Sequence, residues 1–158
     1  MAKVLLGFMG SGKTTIARKL DSDFVDMDAL LEDRIGMPIA RFFEEEGEAA
    51  FRQVESEVLA DLLKTDQVVS TGGGVVISSR NRDLLKENPD NIYLKADFET
   101  LYQRISADKE NQRPLFLKKS KEDLATIFKE RQAWYEEVAS QIVDVSSLTP
   151  DEILEELR

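Results

Sequence analysis

The chain contains no histidine and no cysteine. Without cysteine there are no disulfides, thiolate metal sites or thiol nucleophiles, which fits a cytoplasmic protein without requiring one. Without histidine, any catalytic acid or base must be a carboxylate, a lysine, a tyrosine or water. Positive charge is also scarce, with 21 Lys and Arg against 31 Asp and Glu, a net of −10. That field opposes nucleic acid and anionic membranes, so neither is an expected partner. No apolar run approaches membrane-spanning length, and no signal peptide is expected, because the first residues lack a basic region and a long apolar core. Proline occurs only four times while hydrophobic residues make up 42% of the 158, which argues for a globular chain. There is no repeat, low-complexity stretch or linker, so a single domain over 1–158 is expected.

What is present begins with GFMGSGKTT, Gly7 to Thr15, which fits the phosphate-loop pattern G-x-x-x-x-G-K-[ST] at Gly7, Gly12, Lys13 and Thr14. Glycines let backbone N–H groups turn inward around a polyphosphate, Lys13 adds a point charge, and the Thr14 hydroxyl is a ligand for Mg²⁺. The context is the one this loop requires, with an apolar strand over Lys3–Leu6 before it and a helix from Lys13 to about Leu20 after it. The spacing predicts a nucleoside triphosphate bound on Gly10, Ser11, Gly12, Lys13, Thr14 and Thr15. On so acidic a body, positive charge has to be gathered locally, which makes loop arginines informative.

Helix and strand patterns then alternate to the end, the signature of an α/β fold with a largely parallel sheet. Further strands are expected at 24–27, 67–71, 91–95 and 141–145. Helices are expected from Asp28 to Gly36, from Met37 with Pro38 in its first turn, and after Gly47. Others run over 79–86, from an Asp97 cap to about Ala107, from a Ser120 cap, and from Thr149-Pro150 in capping-box spacing with Glu152. The polar stretch 108–119, broken by Arg113-Pro114, has the length of a functional or mobile loop.

Four groups of residues can carry chemistry. Asp26 and Asp28 lie at the carboxyl end of the second strand, where strand alternation sends both to one face and open α/β sheets bind ligands. One carboxylate can serve a magnesium shell and the other an acceptor hydroxyl, unless Asp28 merely caps the next helix. Gly72-Gly73-Gly74 ends a buried strand, which suits either close approach of backbone to a ligand or an ordinary loop. Arg52, with Glu48 four residues before and Glu55 three after, has the spacing of a surface ion pair. Arg131 interrupts an apolar stripe through Leu124, Ile127, Phe128, Trp134, Tyr135 and Val138, so its charge needs an anion, either a protein carboxylate or a substrate. Arg113, finally, is either a solvated loop residue or a cover for transferred phosphoryl.

Taken in order, GFMGSGKT, Asp26-Met27-Asp28, EGEAAFRQVE around Arg52, TGGG ending at Gly74, Arg113-Pro114-Leu115 and ERQAWYEEVA around Arg131 resemble the shikimate kinases over nearly the whole chain. The resemblance implies a five-stranded parallel sheet flanked by helices, a phosphate-loop kinase fold with a mobile lid near 108–119. It implies ATP-dependent, Mg²⁺-assisted phosphorylation of the 3-hydroxyl of shikimate by a cytoplasmic monomer. In that reading Lys13 contacts the transferred phosphate, Thr14 and Asp26 serve Mg²⁺, and Asp28 binds the shikimate hydroxyls and acts as base. Arg52, Arg131 and the backbone of Gly73 and Gly74 anchor the substrate, Glu55 orients Arg52, and Phe43 and Phe51 line the ring pocket. Arg113 is the lid arginine, and Arg104 resembles one that stacks on adenine. Two departures accompany the match. The segment from Lys13 to Phe24 is short by about one helical turn, and Ala133-Trp134-Tyr135 stands where relatives often have Pro-Leu-Tyr. The alternatives are a gluconate or nucleoside-monophosphate kinase of the same architecture, and a GTP switch. The last rests on Asp33-Arg34-Ile35-Gly36 alone and lacks any N-K-x-D partner.

Overall fold

A computed structural model describes residues 1–107 and 119–157. Arg113 and all of the expected lid but its last residue lie outside them.

Five strands form one sheet: β1 (Lys3–Leu6), β2 (Val25–Asp26), β3 (Val68–Ser70), β4 (Asn91–Lys95) and β5 (Gln141–Asp144). Their order is β2-β3-β1-β4-β5, and every pairing is parallel. Parallel neighbours need crossovers, and the chain supplies helices for them. Val4, Leu5, Leu6, Val69, Ile92 and Leu94 are buried, as expected of strands covered on both faces. The register puts Asp26 beside Ser70 and Ser70 beside Leu5, so the carboxyl ends of β1, β2 and β3 finish at one level. The phosphate loop, Asp26 and the triple glycine leave the sheet from that edge.

The described helices are α1 (Lys13–Leu20), α2 (Met27–Ile35), α3 (Ile39–Glu46), α4 (Glu48–Leu62), α5 (Ser79–Glu87), α6 (Phe98–Ala107), α7 (Lys121–Val138) and α8 (Pro150–Glu156). Several begin where capping chemistry dictates. The Ser120 hydroxyl accepts from Asp123 N, the Asp97 carboxylate from Thr100 N, and Thr149 with Glu152 forms the full capping box. The D-x-x-G stretch of the GTP-switch alternative is helical, with Gly36 as its left-handed C-cap. The abbreviated α1 is tied at its end, where Asp21 N–H donates to Ala17 O and Lys19 pairs with Asp151 of α8 at 3.6 Å.

Two boundaries differ from expectation. β2 holds only Val25 and Asp26, and α2 starts at Met27 because the Asp26 carboxylate accepts from the N–H groups of Asp28 and Ala29. A local side-chain-to-backbone bond has thus ended the strand early. Asp26, not Asp28, is the cap, so helical geometry rather than strand alternation brings both carboxylates to the cleft. Pro38 likewise caps α3 instead of lying in its first turn.

Candidate active site

The loop after β1 and the start of α1 wall an open cleft of about 910 Å³. Gly12 takes left-handed angles, φ 90° and ψ 20°, as the residue before α1, and no side chain caps that helix. Its first N–H groups and the positive end of its dipole are therefore free of a capping side chain, the arrangement that receives phosphate. The Lys13 ammonium lies back over its own loop and donates to the carbonyls of Gly7 and Phe8. Thr14 Oγ1 is 3.3 Å from Ser70 Oγ, and Asp26 and Asp28 line the same cleft. These donors are all oxygens, the set a hard cation prefers. Among the described residues no cluster of three or more carboxylates could cage a metal alone. That chemistry fits Mg²⁺ carried with a polyphosphate on one hydroxyl and one carboxylate, and does not fit a resident structural ion. Arg104 of α6 also lines the cleft and donates to Gly10 O at 3.3 Å and Val145 O at 3.4 Å.

Burial, with Asp26 and Glu32 nearby, pushes the Asp28 carboxyl above its ordinary value, while Lys13 and Arg52 oppose the shift. A carboxylate raised in this way is a better proton acceptor than a solvated one.

The triple glycine joins this cleft to the two arginines. A Cβ on Gly72 would lie 2.6 Å from Asp28 Oδ1, and one on Gly74 would lie 3.0 Å from a terminal nitrogen of Arg52. At Gly73 the nearest side-chain atom would be a terminal nitrogen of Arg131, at 3.6 Å. Each glycine thus abuts one of the side chains singled out for the acceptor. Arg52 is no surface residue: its side chain is 17% exposed, and its NH1 donates to both oxygens of Glu55 at 3.0 and 3.1 Å and to Gly74 O at 3.1 Å. Its guanidinium also lies over the rings of Phe51 and Phe43, at 5.2 and 5.7 Å. Arg131 is half-buried over the Phe8 ring at 5.6 Å, one helical turn before Tyr135. Among the described residues no carboxylate lies within ion-pair distance of it, and burial pushes its pKa below the ordinary value. A half-buried guanidinium with no carboxylate at ion-pair distance among the described residues is suited to receive an anion.

The comparisons agree with this geometry. Residues 9–158 match the family model described as shikimate kinase. The chain belongs to the shikimate kinase family. The shikimate kinase of Streptococcus gordonii is 51% identical over 159 residues, covering 100% of this chain and 99% of its own. That of Streptococcus thermophilus is 52% identical, covering 97% and 96%. Among solved structures, the shikimate kinase of Acinetobacter baumannii in complex with shikimate superposes with a TM-score of 0.88 at 33% identity, covering 99% of this chain and 89% of its own. A Sinorhizobium meliloti gluconokinase shares the fold alone, with a TM-score of 0.55 at 17% identity, covering 97% of this chain and 86% of its own.

Within this shikimate kinase fold, Gly10, Ser11, Gly12, Lys13, Thr14, Thr15, Asp26, Asp28, Gly73 and Arg104 all line the cleft. Gly74, Arg52, Arg131, Phe43 and Phe51 do not line it; Arg52 and Arg131 lie against Gly74 and Gly73, and Phe43 and Phe51 pack on Arg52. Arg113 lies outside the described residues. Sequence reasoning missed the braces behind these groups. Tyr135, wholly buried, donates its hydroxyl to Gly73 O. Arg82 donates to Val76 O and Ile77 O, lies 4.8 Å from the Trp134 ring and pairs with Glu137 of α7 at 3.6 Å. Trp134, the departure noted after Arg131, therefore clamps the loop to α7. Neither brace has a sequence signal, since Tyr135 lies on an apolar stripe and Arg82 on a polar helix.

Proposed function

We propose a division of labour in this cleft for the reaction of the family, ATP-dependent phosphorylation of shikimate. The chain carries out that reaction as a step of the shikimate pathway. The nucleotide lies along Gly10 to Thr15, with its terminal phosphates on the N–H groups that open α1 and on Lys13. Thr14 and Asp26 would hold Mg²⁺, which supplies charge neutralisation on the phosphate oxygens when bound. Asp28 hydrogen-bonds the acceptor hydroxyl and takes its proton. Arg52, Arg131 and the backbone of Gly73 and Gly74 hold the acceptor, the guanidinium groups gripping its carboxylate, while Phe43 and Phe51 line the ring pocket. Arg104 serves the adenine side.

Catalysis then comes from positioning and charge. Direct in-line transfer needs donor and acceptor oxygens held in register, and Lys13 faces charge that spreads onto the transferred group. The carrying observation is the contact of each residue of Gly72-Gly73-Gly74 with Asp28, Arg131 and Arg52 in turn. A polyol carboxylate needs a hydroxyl acceptor and cationic anchors at one place, and this loop gathers both. The enzyme is read as a monomer. No described helix is long and apolar enough to cross a membrane. That is consistent with a cytoplasmic enzyme. ATP turnover with and without shikimate tests the reading: ADP release should depend on shikimate. Equal release with gluconate or a nucleoside monophosphate, and none with shikimate, would overturn it.

A further inference from the structure

Behind the acceptor wall lies a buried amide with no part in the scheme above. Asn81, in the first turn of α5, is 0% exposed and lies beyond reach of any ligand in the cleft. Its Nδ2 donates to Glu55 Oε1 and to Val75 O, both at 2.9 Å, and its Oδ1 accepts from Ser56 Oγ at 2.6 Å. The orientation of the amide is forced. A carboxylate and a carbonyl face the nitrogen, and both can only accept, whereas the Ser56 hydroxyl can serve either end.

These contacts close a ring. Arg52 NH1 donates to Glu55, Glu55 accepts from Asn81, Asn81 donates to Val75 O, and neighbouring Gly74 O accepts from Arg52 NH1. All of NH1's bonding is spent inside the ring. Arg52 Nε, though buried, has no hydrogen-bond partner, and its nearest carboxylate oxygen, on Glu48, is 3.7 Å away. The ring leaves the Nε–NH2 edge of the guanidinium without a hydrogen bond inside the protein, with Glu48 as its ion-pair neighbour, and that edge is the one able to take a carboxylate in bidentate fashion.

We propose that Asn81 is a positioning residue for the acceptor: it fixes Glu55 and the loop at Val75 so that Arg52 keeps its Nε–NH2 edge for the substrate carboxylate. The proposal rests on the reading of Arg52 as an acceptor anchor. Glu55 is 2% exposed; burial pushes its carboxyl above the ordinary value, and the bonds from Arg52 and this amide oppose that shift. Without the amide, the carboxylate loses one of its two donor residues, and the loop loses its tie to α5. The nucleotide side shares none of these bonds.

Steady-state kinetics with each substrate varied in turn tests this. Asn81→Ala should raise KM for shikimate about tenfold and leave KM for ATP within about twofold. In a Glu55→Gln background the same substitution should add little, because both act through one link. A merely structural role would lower Tm and the active fraction without that split. If Asn81→Ala does not fold, Asn81→Leu fills a similar volume with neither donor nor charge and is expected to show the same split. An unchanged KM for shikimate in the folded variant, with a raised one in Arg52→Ala, overturns the role of Asn81 alone. An unchanged KM in Arg52→Ala overturns the reading of Arg52 and this proposal with it. Equal rises for ATP and shikimate overturn the proposal as well.

Discussion

The phosphate loop takes its shape from one unbroken run, Gly7 to Thr15, whereas the acceptor wall is assembled from α2, α4, the glycine loop and α7. On the donor side the holding groups are backbone N–H donors and a lysine anchored to carbonyls five and six residues away. On the acceptor side long-range bonds add to local ones: Arg52, held by Glu55 three residues on, also donates to Gly74 O, and Gly73 O accepts from Tyr135. A locally encoded site tolerates changes elsewhere. A site assembled over long range fails through its braces, and it fails for one substrate at a time.

Substitutions on the two sides should separate accordingly. Lys13→Ala should lower kcat by about 10³-fold, since it deletes the charge proposed to face the transferred phosphoryl, while shikimate binding measured calorimetrically without nucleotide stays intact. Loss of both would erase the distinction between the halves. Asp28→Asn should lower kcat by about 10²-fold or more and at the same time stabilise the fold. The sign follows from the raised pKa. The folded state holds the Asp28 proton more tightly than the unfolded chain does, so stability from this group is fully present below its ordinary 3.8 and is lost as pH rises through the raised value. At neutral pH the buried charge is a net cost that the amide removes. Thermal melts should show a gain on the order of 3 °C at pH 7, absent in acid. A lower Tm at pH 7 would refute this account of Asp28.

Gly72→Ala sharpens the comparison further, because its new methyl would meet Asp28 Oδ1 at 2.6 Å and must displace the proposed base. About a tenfold fall in kcat is expected, with KM for ATP little changed; wild-type turnover would mean that Asp28 has room to spare. The smallest effect belongs to Tyr135→Phe. It removes the hydroxyl that donates to Gly73 O, and should raise KM for shikimate about threefold to fivefold with no effect on ATP. A rise in both constants would point to a packing defect.

The same contrast explains what could be read from the chain directly. The parallel sheet, the donor loop and most helix starts were legible because periodicity and capping act within a few residues. Ser120, Thr149 and Asp97 all cap as their spacing implies. β2 is two residues shorter than its pattern implies, since alternation does not show that the Asp26 carboxylate accepts from the Asp28 N–H ahead of it. Arg131 was identified as a charge on an apolar stripe, yet whether a protein carboxylate answered it depended on the packing of other elements. Asn81 and Tyr135 were invisible for a plainer reason: a buried asparagine and a buried phenol look like any others until their partners are known.

The central claim, that the acceptor wall binds shikimate independently of the donor loop, is tested most directly by calorimetric titration of Arg131→Ala with shikimate and, separately, with ADP. The account predicts that shikimate affinity falls by about 100-fold while ADP affinity stays within about twofold of wild type. Undiminished shikimate binding by a folded Arg131→Ala would contradict it.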